Sequence, residues 1–141
     1  MWENYDRYLR IGLGLTLALA IASGLYWILE PSRMAAAAER LNAGRVERGQ
    51  ASFRENCLAC HGADGEGVSA PALNDKTLLD TVSDELLFSL IRSGVPGTAM
   101  PSWGQANGGP FTDEEIRDLL AFIRSWQPTA PAAVVPAHVA D

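Results

Sequence analysis

The chain has 141 residues, of which 20% are charged and 48% are hydrophobic, and its formal net charge is −6. This length allows one small domain with extensions. The acidic balance argues against a nucleic-acid partner, because phosphate binding needs a basic surface, and it is compatible with a cationic protein partner.

The first predicted element is a membrane-spanning helix. Residues 11–29, IGLGLTLALAIASGLYWIL, contain no charged side chain, and a helix of this length spans roughly 28 Å, close to the hydrocarbon thickness of a bilayer. Aromatic residues flank the run as in an interfacial belt: Trp2, Tyr5, Tyr8, Tyr26 and Trp27. A signal peptide cleaved after Ala22 is the alternative, but the apolar run continues to Leu29. We therefore predict that residues 1–30 form a retained single-pass anchor.

An alanine-rich segment follows the anchor. Pro31 is predicted to end the spanning helix, since proline cannot continue the hydrogen-bond ladder. Residues 31–44 favour a helical stalk that stops at Gly44. Helical spacing then returns, with one apolar face carrying Val46, Gly49, Phe53 and Cys57.

Two more helices are predicted after a glycine-rich loop at 62–74. One begins near Ser83 and stops at Gly94, and a loop rich in glycine and proline follows it. The last helix opens with a capping-box pattern at Thr112. It carries a predicted buried stripe of Ile116, Leu119, Leu120, Ile123 and Trp126.

These helices predict an all-α domain at residues 45–127, with no strand pattern. Residues 128–141 are rich in proline and alanine, so they are predicted to be extended or disordered unless a partner surface holds them. The core is thin for a domain of this size, and a covalent cofactor would stabilise it.

Both cysteines lie in the pentapeptide Cys57-Leu-Ala-Cys60-His61. A zinc site needs two further ligands, and the only other histidine is His138, in the predicted tail. A redox dithiol is expected in a βαβ context, whereas Cys-x-x-Cys-His is the attachment pattern of haem c. We therefore predict one haem c bound covalently through Cys57 and Cys60, with His61 as an iron ligand.

The second axial ligand is predicted by exclusion among Met1, Met34 and Met100. Met1 precedes the membrane span and Met34 follows it directly, whereas Met100 lies in the loop between the last two helices, next to Pro101. A loop methionine that only fills a gap in the core is the alternative. We predict that Met100 ligates the iron opposite His61.

From about Gly49 to Trp126 the chain resembles a class I monohaem cytochrome c. The resemblance lies in five features: the pair Gly49 and Phe53, CLACHG, the stretch with Gly65, Gly67, Pro71 and Leu73, MPSWG, and an aromatic-bearing last helix. It implies a small helical domain around the haem, in which the first and last helices cross closely. Gly49 and Phe53 are then expected to pack on Leu119 and on Phe122 or Ile123.

The resemblance also implies roles for residues around the haem. The backbone carbonyl of Pro71 is expected to accept a hydrogen bond from the ring of His61, which would fix the tautomer. Trp103 is expected at the haem edge near a propionate, with simple hydrophobic packing as the alternative. Arg92 either pairs with a propionate or lies on the exposed face of its helix.

Ligation by His61 and Met100 would close both axial positions of the iron, which favours one-electron transfer over catalysis. A peroxidase or a gas sensor requires a vacant or labile sixth position, so an intact bond from iron to Met100 would distinguish the carrier from the enzyme. A structural subunit with an inert haem is a third hypothesis.

The membrane complex to which this carrier belongs, called here its host, is predicted from fewer sequence features than the haem site. Gly12, Thr16, Ala20 and Gly24 share one helix face that would let another membrane helix approach, although small residues are common in spanning helices. The single span, the stalk, one CLACH motif and the long tail resemble the monohaem subunit of alternative complex III. That resemblance implies quinol oxidation by partner subunits and a periplasmic redox protein as the electron acceptor. The alternatives are a tethered donor to a haem–copper oxidase or to a photosynthetic reaction centre, and a free-standing membrane-tethered shuttle.

The predicted location is the bacterial inner membrane, in contact with lipid. Arginines occur on both sides of the span, so they do not decide its orientation. Because haem is attached to apocytochromes outside the cytoplasm, we expect the N-terminus inside and the haem domain on the periplasmic side.

Overall fold

The computed structural model describes residues 2–132. The chain divides into two compact units, with the boundary between Leu41 and Asn42. Helix α1, Trp2–Asn56, contributes residues to both units.

The prediction that Pro31 ends the first helix is wrong, because α1 continues through Pro31 and through Gly44. Proline inside a helix forfeits one backbone hydrogen bond, here the one to the carbonyl of Trp27. The alanines at 35–38 have the highest helix propensity of any residue, and they favour continuation of the helix beyond the proline. The division of the chain into anchor, stalk, domain and tail stays a prediction.

The N-terminal unit carries the apolar part of α1. Within residues 2–132, this is the one helix long and apolar enough to cross a membrane, and its most apolar stretch has a mean hydropathy of 1.8. None of that stretch is buried by protein. Apolar side chains that no protein covers indicate a membrane anchor.

The second unit begins with the end of α1 and continues with four helices: α2, Leu58–His61; α3, Lys76–Thr81; α4, Asp84–Ser93; and α5, Asp113–Ser125. A 3₁₀ turn at Gln105–Asn107 lies between α4 and α5. Between residues 2 and 132 the only β-type pairing is an isolated bridge that joins Gly104 and Phe111. The all-α fold class is therefore confirmed.

Three local signals explain where these helices begin. Helix α4 begins where predicted, and the hydroxyl of Ser83 caps it; Thr112 and Glu115 form the predicted capping box of α5. Helix α3 was not predicted. The side chain of Asp75 accepts a hydrogen bond from the N–H of Leu78 at 2.8 Å, and this cap starts the helix whose Leu79 is buried.

The core forms where α1 crosses α5. A Cβ atom on Gly49 would lie 2.0 Å from the backbone oxygen of Asp118, so only glycine allows this approach. One turn later, the ring of Phe53 is fully buried, with its centroid 5.3 Å from that of Phe122 and 5.4 Å from that of Trp126. The predicted crossing is confirmed.

Two arginines, Arg48 and Arg124, join helices at the edge of this core, and neither contact was predicted. Arg48 Nε donates to the buried carboxylate of Asp118 at 2.6 Å. Arg124 Nε donates to Asp84 at 2.6 Å, and the other guanidinium nitrogens of Arg124 bond the carbonyls of Leu79 and Val82. Arg124 therefore ties the turn between α3 and α4 to α5.

The first part of the predicted tail lies against the second unit. Ala130 packs on the core, and the N–H of Lys76 donates to the carbonyl of Pro131 at 3.0 Å. Residues 133–141, which include His138, lie outside the described residues, so the prediction of an extended or disordered tail is not tested there.

Candidate functional site

The first part of the site is residues 57–74, called here the histidine segment. The N–H of Cys57 donates to the carbonyl of Phe53 at 2.8 Å, and the N–H of His61 donates to the carbonyl of Cys57 at 3.0 Å. A single helical turn that follows α1 thus carries Cys57, Cys60 and His61. Both cysteines are free thiols, the first half-buried and the second exposed.

The remainder of the histidine segment folds back over this turn. The carbonyl of Cys60 accepts hydrogen bonds from three successive N–H groups, those of residues 68–70, at 3.0–3.1 Å. The N–H of Gly67 donates to the carbonyl of His61 at 2.7 Å. Gly65 has a φ of 73°, and a Cβ there would lie 2.6 Å from the ring of Trp126. Glycine is therefore required where the loop passes over this ring.

This fold brings Pro71 to His61. The carbonyl oxygen of Pro71 lies 2.9 Å from Nδ1 of His61. A carbonyl can only accept, so Nδ1 carries the hydrogen and Nε2 keeps the free lone pair. The contact implied by the resemblance is present, and it leaves a nitrogen ready to ligate a metal.

The thiol of Cys57 is not suited to the alternative chemistries. Burial, with a smaller contribution from Cys60, raises the pKa of Cys57 to about 11. A redox cysteine needs a lowered pKa, and between residues 2 and 132 no three His, Cys, Asp or Glu side chains are grouped so that they could hold a metal ion. Two free thiols one turn apart, followed by an oriented imidazole, fit a covalently attached haem c.

The second part of the site is residues 94–111, called here the methionine segment. Its first half is fixed to the end of α4. The N–H of Val95 donates to the carbonyl of Met100 at 3.2 Å, and the N–H of Trp103 donates to the carbonyl of Ile91 at 3.2 Å. Met100 is half-buried and packs against the core. Its thioether is the soft donor that a His/Met haem requires, so this segment also fits the group.

The ring of Trp103 stacks on Phe111, with centroids 5.6 Å apart and an interplanar angle of 23°. Sequence reasoning missed Phe111. The sequence did contain a sign that Phe111 is buried, because Phe111 directly precedes the cap Thr112. An apolar residue just before a helix cap often packs against the fourth residue of the helix. That fourth residue is Ile116, which belongs with Phe111 to the same buried cluster.

Arg92 has a protein partner in the structure. Its Nε lies 3.2 Å from a carboxylate oxygen of Asp113, and its side chain is 38% exposed. The role of Arg92 toward a haem propionate stays a prediction, as does the haem-edge role of Trp103.

Residues 44–123 match the profile of the family described as cytochrome c oxidase, cbb3-type, subunit III. This range is more than half of the chain and contains both segments of the site. The chain belongs to this family. Its second unit is accordingly a monohaem c-type cytochrome domain, and the family implies a covalent haem c.

Curated relatives support this cytochrome assignment. The chain is 36% identical over 87 residues to the cbb3-type cytochrome c oxidase subunit CcoP of Rhodobacter capsulatus, covering 57% of this chain and 29% of that protein. It is 41% identical over 81 residues to the subunit FixP of Bradyrhizobium diazoefficiens, covering 55% and 26%. It is 37% identical over 62 residues to the cytochrome bc1 complex cytochrome c subunit of Mycobacterium bovis, covering 44% and 22%.

The chain therefore spans less than a third of the length of these curated relatives. Among solved structures, it is similar to cytochrome cL of Methylophaga aminisulfidivorans, with a TM-score of 0.50 and 28% identity over 67% of this chain and 74% of that one. The cytochrome c fold is thus shown by structure as well as by sequence.

Proposed function

We propose that this cytochrome is a membrane-tethered electron carrier that delivers single electrons to a haem–copper oxidase. The observation that carries the proposal is the hydrogen bond of 2.9 Å between Pro71 and His61, directly beside the two free thiols. It presents an oriented imidazole where a covalent haem c would be attached.

The proposed ligands follow from this arrangement. Cys57 and Cys60 would hold the haem through thioether bonds, and His61, through Nε2, and Met100 would ligate its iron. When bound, haem c carries one electron, as its iron changes between the ferric and ferrous states. The chain's own residues orient the imidazole through Pro71, and Met100 would supply the second ligand to the iron. No position is then left for a substrate, which favours a carrier over a peroxidase or a gas sensor.

The tether gives the carrier its location. The uncovered apolar stretch of α1 anchors the chain in the inner membrane, with the N-terminus in the cytoplasm and the haem domain in the periplasm. A tethered carrier stays at a high effective concentration near its partner, whereas a free one must diffuse. This suits a protein that serves one membrane complex repeatedly.

The choice of host rests on the relatives. CcoP and FixP are subunits of cbb3-type oxidases by name, which supports a donor to a haem–copper oxidase. The Mycobacterium bovis relative is a subunit of a cytochrome bc1 complex, so membership of a bc1-type complex is the second candidate. The predicted role in alternative complex III depends on sequence features alone, since these relatives name other complexes.

Capture of the full-length, haem-loaded chain from native membranes in mild detergent tests the host. The oxidase proposal predicts that copper and a carbon-monoxide-binding haem co-purify, and that reduced chain in the complex is oxidised on adding oxygen. Co-purification of b-type haem and an iron–sulfur protein without copper would instead support the bc1-type candidate. Recovery of the chain alone would contradict both hosts.

A further inference from the structure

We propose that Phe111 is a positioning residue: it holds the ring of Trp103 and thereby keeps Met100 in place as an iron ligand. This inference rests on the proposed function, because it concerns the stability of the bond from the iron to Met100. Phe111 itself has no proposed contact with the haem.

The first end of the methionine segment is fixed by backbone contacts. Gly94 ends α4 with a φ of 71°, and a Cβ there would lie 2.6 Å from the carbonyl carbon of Pro101. The chain therefore passes tightly against itself next to Met100. Further on, the N–H of Gly104 donates to the carbonyl of Arg92 at 3.0 Å. The segment thus leaves α4 and returns to it, with Met100 in between.

The second end is fixed by Phe111. Its N–H donates to the carbonyl of Trp103 at 2.8 Å, and its own carbonyl accepts from the N–H of Gln105 at 2.8 Å. A Cβ on Gly109 would lie 2.2 Å from the carbonyl carbon of Trp103, so the backbone is closed on this side too. The stacked rings of Trp103 and Phe111 lie on this closed backbone.

Phe111 is in turn fixed by the start of α5. It is 8% exposed and belongs to the buried core, and the capping box at Thr112 holds the residue that follows it. Met100 itself has one backbone donor, its N–H, which bonds the hydroxyl of Thr98 within the same segment at 3.2 Å. The packed start of α5 therefore constrains Phe111 and, through the stacked rings, Trp103. Because Trp103 follows Met100 by only three residues, the constraint extends to Met100.

Competition between Met100 and added imidazole tests this role. In Phe111→Leu the apolar character stays but the stacked ring is lost, so Met100 should be displaced more easily. We expect imidazole to bind the ferric protein roughly two- to tenfold more tightly, the contribution of one aromatic pair. Binding is measured by the loss of the near-infrared iron–sulfur charge-transfer band, well below the melting temperature. Phe111→Tyr retains the ring and should restore the wild-type affinity.

Phe122→Leu is the matched control. Phe122 is 6% exposed, similar to Phe111, but its ring contacts Phe53 and Trp126 instead. Both leucine variants should melt at a lower temperature, whereas only Phe111→Leu should change the imidazole affinity. Equal changes in the two variants, or no change in Phe111→Leu, would overturn the positioning role.

The test also separates this inference from the proposed function. If Met100→Ala loses the near-infrared band while Phe111→Leu binds imidazole as the wild type does, only the positioning role fails. If the wild type has no such band, Met100 is not the ligand and both proposals fail.

Discussion

Both segments contain many internal hydrogen bonds, but within the described residues 2–132 the histidine segment is bonded outside itself only to the end of α1, whereas the methionine segment is also bonded to α4 and packs against α5. In the first, the carbonyl of Cys60 accepts three N–H groups of the following loop, and the carbonyl of Pro71 reaches His61. In the second, the N–H of Trp103 donates to the carbonyl of Ile91 in α4, and Phe111, on which Trp103 stacks, belongs to the same buried cluster as Ile116 of α5.

This difference indicates which ligand is easier to lose. The histidine segment continues directly from α1 and keeps its local geometry as long as its own backbone bonds persist. The methionine segment has internal hydrogen bonds too, but its bonds to α4 and its packing on α5 also depend on the positions of those two helices. Disturbance of the fold should therefore release Met100 before His61, and substitutions in each segment distinguish the two ligands.

The largest expected effect is the loss of the cofactor from the histidine segment. In Cys57→Ala combined with Cys60→Ala no sulfur is left for a thioether bond, so the chain should retain no haem after extraction with acidic acetone. Wild-type chain matured in the same cells is the control. Haem that stays bound to the double variant after extraction would show that another residue attaches it.

Met100→Ala should affect the methionine segment alone. We expect the near-infrared iron–sulfur band to disappear and the reduction potential to fall, because thioether ligation favours ferrous iron, while the covalent haem remains. Met34→Ala is the matched control, since Met34 lies in the other unit and is 65% exposed. An unchanged spectrum of Met100→Ala would mean that the sixth ligand is a different group.

Gly49→Ala should destabilise the fold around both segments, because it disturbs the crossing of α1 and α5. The added Cβ would lie 2.0 Å from the oxygen of Asp118, and overpacking of this kind costs about 1–3 kcal/mol of the free energy of unfolding. Denaturant unfolding of the haem-loaded chain measures the loss.

Gly44→Ala is the control for that crossing, since its Cβ would meet its nearest atom, in Arg48, at an ordinary 3.5 Å. Alanine should be neutral there or stabilise the helix by up to about 1 kcal/mol. Equal destabilisation by the two substitutions would contradict the close approach at Gly49.

The smallest expected effect comes from the capping box that precedes α5. Hydrogen bonds from the backbone and hydroxyl of Thr112 hold the pKa of Glu115 below its ordinary value. A lowered pKa in the folded state stabilises the fold at neutral pH, and this contribution is lost as the pH falls through that pKa. Glu115→Gln should therefore lower the melting temperature slightly at pH 7, with the difference shrinking in acid. Glu114→Gln, outside the box, is the control, and an equal loss there would contradict the capping role.

The sequence predicted those features whose signals are local. The caps at Ser83 and Thr112 start helices where expected, and the periodic face with Gly49 and Phe53 crosses α5. The haem-attachment pentapeptide is also recognisable from five consecutive residues. The position of Pro71 at His61 came from the family resemblance, because spacing alone does not show how the loop returns.

The features that sequence reasoning missed depend on tertiary structure. Helix α3 has only 6 residues, too few for a clear period, and its cap Asp75 was the one available sign. The bonds of Arg124 and the stack of Phe111 on Trp103 join residues that no sequence spacing relates. At Pro31, the surrounding helix propensity outweighed the proline signal.

The most direct measurement is the intact mass of the full-length chain after denaturation, together with its reduced visible spectrum. The account predicts a mass that exceeds the polypeptide by one haem and sharp absorption bands of a c-type haem. A mass equal to the amino acids alone, with no such bands after haem maturation, would contradict the central claim that Cys57 and Cys60 bind a haem.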